Sequence, residues 1–403
     1  MTPRIRERPA STPPDTGKLV RYGGIAGIVG LVAWGIGAAI DPRRALGAYL
    51  FGYATVLTVA LGALIQVMIS HVTAARWFTV LRRLALDVAG AMPALLVLAI
   101  PILAGVHALY PWAVPASLPP ATRVLVARKH GWLAPGFFIA RALFYLLVWI
   151  VVGVTLRRAS LRQDAATPER AAALARRDRR TSAIGLIAVG LTLTFAAFDW
   201  LMSLEPAWYS TIYGVYVFAG GYLAALALMA TVGWLASRRG GALDDAVTPE
   251  HVGALGKLLL TFVIFWAYIA FSQYLIIWIG DLPGDVSWYV VRTRGGWGAL
   301  ALVVAAGQFA IPFLLLLPRA LKRHPAVLGA LGAWLLAMHV LDVYWLVLPA
   351  LDPAGIRASW LDVAALLGIG GAATATAAWR ARGHPPLPVR DPYVEQSMRY
   401  VEP

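Results

Sequence analysis

Few side chains in this 403-residue sequence could do chemistry in an apolar setting. His339 and Asp342 lie three residues apart in a hydrophobic stretch, so a helix would place them on one face. A carboxylate beside an imidazole has two readings: a proton relay or quinone contact, or a satisfied buried pair. Asp87 stands one helical turn beyond Arg83, and it too has two. It is either an ion pair at a membrane interface or the inner mouth of a proton path. Asp199, just before Trp200 and Glu205, is either a solvated interfacial acid or a functional one. Tyr268, Ser272 and Gln273, with Gln66 and Gln308, could extend a polar wire; singly, such residues serve as glue between helices.

Metal chemistry has little to work with. The sequence has no cysteine, which excludes disulfides, thiolate metal sites, iron–sulfur ligation and c-type haem attachment. A bis-histidine haem needs two imidazoles facing each other at similar depth. Of the seven histidines, only His339 lies well inside an apolar run. The chain is expected to hold no redox metal, so a quinone or a partner subunit would have to carry any electrons.

The elements that position these residues follow from composition. Hydrophobic residues make up 60% of the chain and charged ones 14%, with a mean hydropathy of +0.69. Soluble domains carry about 25% charged residues. A hydrocarbon core of about 30 Å takes about 20 helical residues. Spans of that kind fall at about 22–40, 46–70, 79–103, 134–157, 181–204, 212–236, 256–280, 297–318, 326–348 and 358–380. The sequence therefore predicts an all-α integral membrane protein of ten helices, with tails at 1–18 and 381–403. The polar, proline-bearing start reads as no cleaved signal peptide, with the first span as anchor. Pro93 and Pro101 should kink the third span and free carbonyls for a neighbour or water.

Charge sets the orientation. Of 35 Lys and Arg, 26 fall in the two tails and the even-numbered connections, which predicts both termini in the cytoplasm. The net charge of +15 is thus a topology signal, and nucleic acid drops out as a partner. In the basic run 157–180, Thr167 suits an N-cap and Pro168 a first helical position. A short interfacial helix against anionic lipid is expected there, or a plain topology-setting loop. The outer connection, 105–135, has Pro111, Pro115, Pro119, Pro120 and Pro135 among apolar residues and reads as a lid or docking surface, as does 202–211. Aromatics such as Tyr110, Trp112, Trp208, Tyr209, Trp278 and Trp288 read as an interface belt.

Several strings then resemble a known family. They are HVTAARWFTVLRRLALDVAGAMPALLVLAIP (71–101), HGWLAPGFFIARALFYLLVWI (130–150), FAAFDWLMSLEPAWYSTIYGVYVFAGGYLAAL (195–226) and GKLLLTFVIFWAYIAFSQYLIIWIGDLP (256–283), with GQFAIPFLLLLPRALKR and HVLDVYWLVLP over 307–349. They are similar to the ActF-type membrane subunit of bacterial alternative complex III, related to the NrfD/polysulfide-reductase membrane anchors. The resemblance covers most of 71–350 and departs from the family at Ala134 and over 280–285. It implies two four-helix bundles, helices 2–5 and 6–9, with two peripheral helices. It further implies a non-haem subunit of a quinol:electron-acceptor oxidoreductase in the bacterial inner membrane, structural in role, with proton conduction as a second suggested role. Expected partners are a sister NrfD-like subunit that binds quinol, a periplasmic iron–sulfur subunit, a multihaem cytochrome c subunit, small membrane subunits and lipids. Haem c and iron–sulfur clusters would sit in those partners. Menaquinone or another quinone is the candidate small molecule, with His339, Asp342 and His107 as candidate contacts. Two other functions stand beside this one: a quinone-binding anchor of a related iron–sulfur enzyme, and a secondary transporter.

Overall fold

The computed structural model describes residues 15–239, 241–244 and 246–401. Most of the expected N-tail, 1–18, lies outside the described residues, with Arg4, Arg6 and Arg8 of the charge count. Among the described residues there is no strand, and ten helices are long and apolar enough to cross a membrane. They are α1 Gly17–Ile40, α2 Pro42–Val72, α3 Arg76–Ala104, α4 Pro135–Gln163, α5 Pro168–Leu204, α6 Tyr213–Ala236, α7 Pro249–Gly280, α8 Trp297–Leu316, α9 Pro325–Ala350 and α10 Trp360–Ala381. The protein is a multi-pass, all-α membrane protein.

Helices α2–α5 pack as one bundle and α6–α9 as another, joined where α2 and α5 meet α6. Helix α2 is buried along nearly its whole length because both bundles and α10 pack on it. Helices α1 and α10 form a peripheral pair, held close by small residues. A Cβ placed on Gly30 would lie 2.3 Å from the Gly368 nitrogen, and one on Gly27 would lie 2.9 Å from that of Ala372. In lipid such close approach is what joins helices, since burial of apolar surface gives little. Gly30→Val should therefore splay the pair and cost about 1–3 kcal/mol, read as a lower Tm in detergent. Gly24→Val, whose added Cβ meets nothing within 4 Å, should leave Tm unchanged.

Helix α3 breaks where the prolines predict. Its regular turns stop at Ala89, resume over Met92–Leu98, and restart at Ile100. Two carbonyls near the breaks take hydrogen bonds from α2: Tyr53 donates to Leu95 at 3.0 Å and Tyr49 to Leu98 at 2.8 Å. The basic segment 168–180 differs from expectation. It is not a separate interfacial helix but the first turns of α5, capped by the Thr167 hydroxyl, because no breaker separates it from the span. The aromatic belt also needs correction. Tyr110, Trp112, Trp208 and Trp288 are buried, whereas Tyr209 and Trp278 are exposed. Trp112 donates to Ser203 and Tyr110 to the Trp200 carbonyl, so the proline-rich connection folds down as a cap on the first bundle.

The C-terminal segment is a strap. Asp391 pairs with Arg82 at 2.5 Å, the Val389 amide donates to Asp164, and the Ser397 carbonyl meets the His251 ring at 3.0 Å. It thereby ties the ends of α3 and α4 to the start of α7. The face it crosses is the strap face of the protein.

Candidate functional site

Five helices converge on His339 and Asp342. Asp342 is 1% exposed and sits inside the second bundle. Tyr216 of α6 donates to one carboxylate oxygen at 2.6 Å; Trp266 of α7 and Gln308 of α8 donate to the other at 3.2 and 3.3 Å. Helix α8 makes a π turn over Ala305–Ala310, which carries Gln308, and the Gly307 carbonyl accepts from Trp334 at 2.7 Å. Single π turns of this kind gather at functional sites. One turn earlier on α9, His339 meets the Thr58 hydroxyl of α2 at 2.9 Å, so the site bridges the two bundles.

The two side chains are close without being bonded to each other. His339 is taken by Thr58, and Asp342 by three neutral donors. A Cβ on Gly220 of α6 would lie 3.1 Å from the Asp342 carboxylate and 3.6 Å from His339 Nδ1. A side chain at this position would crowd the carboxylate, and glycine leaves room beside both groups. Two buried atoms there have no partner among the described residues, His339 Nδ1 and Gln308 Oε1. No cationic nitrogen among the described residues pairs with Asp342 either.

Asp199 is held quite differently. Arg141 grips it with two hydrogen bonds of 2.8 Å, Trp132 donates at 2.8 Å and Tyr145 at 2.9 Å. The Arg141 guanidinium also lies 4.0 Å from the Trp132 ring centre and 4.3 Å from that of Phe137. Asp87 pairs with Arg157 at 3.1 Å, while Arg83 turns to Asp164 at 2.6 Å instead of to Asp87. Both acids are thus closed by arginine. Tyr268 is 63% exposed on the outer face of α7, and neither it nor Ser272 bonds to the Asp342 group. Gln273 joins Ser210 and Tyr289 near the far end of α7. His107 is exposed on the short helix Val106–Leu109.

Sequence reasoning missed Tyr216, Trp266, Thr58 and Gly220, which reach the site only through the packing of α2, α6 and α7. One signal was present. Asp199 and Asp342 each stand seven residues before a proline, Pro206 and Pro349, at the end of the last helix of a bundle. Setting the two side by side shows an acid with an arginine in one bundle and an acid without one in the other.

Cavities of about 310 and 260 Å³ lie elsewhere. The larger opens at the strap face; the smaller is an apolar groove between α2, α5 and α6, lined by Ile69, Leu186 and Phe218. Neither is lined by His339, Asp342 or His107. Among the described residues no three His, Asp or Glu side chains converge as metal ligands would. No family model and no curated protein matches the chain.

Proposed function

We propose that this chain is a membrane subunit of a quinol:electron-acceptor oxidoreductase of the alternative complex III type, with a structural and proton-conducting role. In that reading it lies in a bacterial cytoplasmic membrane with both termini and the strap face inside, as the arginine distribution predicts. The observation that carries the proton role is Asp342. An acid in the middle of a helix bundle is costly and usually functional. The two other candidate acids have a fixed positive partner; Asp342 has only neutral donors, so no neighbour locks its charge state. The family strings support the assignment to a complex: FWAYIAFSQYLIIW carries Trp266, and STIYGVYVFAGG carries Tyr216 and Gly220. Electrons would pass through partner subunits while this chain handles protons and assembly.

Purification of the native assembly tests the assignment. The chain is expected to travel with haem c and iron–sulfur absorbance through affinity and size-exclusion steps. Recovery of the chain alone, under conditions where the partners are present in the membrane, would overturn it.

A further inference from the structure

The cavity of about 310 Å³ at the strap face has an unusual wall. It is enclosed by the ends of α2, α3 and α4, the first turns of α5 and the strap, and Asp178 of α5 lines it. Asp178 is 3% exposed and makes no hydrogen bond or ion pair with any described residue. The charged and titratable groups that share the cavity wall with it are Arg82, Arg176, Arg179, Asp391 and His71, and Arg82, Asp391 and Arg177 are the charges that act on it. Arg82 is already engaged by Asp391, so it leaves Asp178 open to whatever fills the cavity. At about 30 Å³ for each water, the space holds several.

From this cavity a polar stripe climbs α2. Ser70 and His71 line the cavity, and His71 meets Ser182 at 2.9 Å. Above Ser70, one face of α2 carries Gln66, Gly62 and Thr58 at four-residue spacing, and Thr58 holds His339. The twelve residues cover about 18 Å at 1.5 Å each. Ser70, Gln66 and Thr58 are all buried in the most enclosed helix of the protein, where polar groups are costly unless used. Tyr222 of α6 donates to Gln66. The stripe is not linked throughout: the Ser70 hydroxyl donates to the Val67 carbonyl at 2.7 Å, and at Gly62 the backbone lies against Gly221 and Tyr222. A void bordered by Thr58, Gly62 and Tyr222 is too small there to hold a water.

We propose that protons reach the His339–Asp342 site from the Asp178 cavity along this stripe of α2, with Tyr222 and Gly62 as a gate, and that the Asp87–Arg157 pair lies off the route. The inference rests on the proton role assigned to Asp342 above. A proton taken from cavity water by Asp178 passes through that water to His71 and Ser70. It then passes from Ser70 through water admitted beside Gln66 to the Tyr222 hydroxyl, which Gln66 holds as an acceptor without itself carrying the proton. Small movement of α6 at Gly221 widens the void to one water, which completes the link to Thr58 and His339. No net charge is left on the stripe, because each carrier gives up a proton as it takes one.

Infrared spectroscopy of the full chain in lipid, followed through exchange into D2O across a pH series, separates the possible outcomes. The carboxyl C=O band that Asp342→Asn removes reports Asp342 in its protonated form, and its isotope shift reports how fast that proton exchanges. Asp178→Asn and Tyr222→Phe should each slow the shift about tenfold or more, and Asp178→Glu should restore it. The double variant D87N/R157Q, which removes both charges of that pair together, should exchange like the parent. Equal rates in all variants, or slowing only in D87N/R157Q, would overturn the route and leave the role of Asp342 standing. Absence at every pH of any band lost in Asp342→Asn would overturn both. Matching elution and Tm across the variants show that exchange, not folding, is being read.

Discussion

Arg141→Met is expected to destabilise the protein by about 3–5 kcal/mol, and a second change, Asp199→Asn, to return most of that loss. The reason lies in what the carboxylate keeps when the arginine goes. Asp199 is 1% exposed, and Trp132 and Tyr145 would still donate to it at 2.8 and 2.9 Å, but its charge would be uncompensated in a low-dielectric bundle. The guanidinium also joins α4 to both α5 and the connection that carries Trp132. It binds α5 through both carboxylate oxygens, donates to the Trp132 carbonyl at 3.0 Å, and lies over the Trp132 and Phe137 rings. Arg141→Lys should recover only part, since an ammonium cannot make the two-pronged contact. In the double variant the amide oxygen accepts from Trp132 and the amide NH2 donates to the Tyr145 hydroxyl, which turns from donor to acceptor. Thermal unfolding in detergent checks the series. If the single and double variants melt together, the cost is lost packing around the guanidinium and not the stranded charge.

The number and order of the spans were legible because each is a run of about 20 residues whose apolar character owes nothing to tertiary context. The breaks in α3 were legible for a local reason too, since Pro93 and Pro101 remove donors whatever surrounds them. Reading stopped where the answer depended on a neighbour. Trp112 and Trp288 are of a residue type that anchors at interfaces, yet they are buried because the connections that carry them fold down onto the bundle ends. Asp87 and Arg83 share a helix face, yet each chose a partner on α4 or just after it, Arg157 and Asp164. Pairing within one turn costs side-chain entropy that a better-placed partner on another helix repays. The acids themselves were found; which of them lacked a cation could be seen only once Arg141 and Arg157 had places.

That difference sets the second prediction, Asp342→Asn. Its structural effect should be small, within about 1 kcal/mol, because asparagine has the same size and the site can satisfy it. Trp266 and Gln308 donate to one oxygen, so the amide oxygen belongs there. The amide NH2 then faces Tyr216, whose hydroxyl rotates from donor to acceptor. No buried charge is stranded, in contrast to Arg141→Met. The functional effect should be large, because an amide cannot take up and release a proton at any working pH. In the purified assembly reconstituted into liposomes, proton movement through this chain should fall to background while electron transfer from quinol to acceptor continues. Tyr216→Phe should give a partial loss, since it removes one donor and leaves the carboxyl in place. The double variant D199N/R141M, once corrected for the amount assembled, should move protons like the parent, because that bundle's acid is locked by its arginine. Parent-like proton movement in Asp342→Asn would end the case for this acid as the group that carries protons through the second bundle, and the chain's role would then be scaffolding alone.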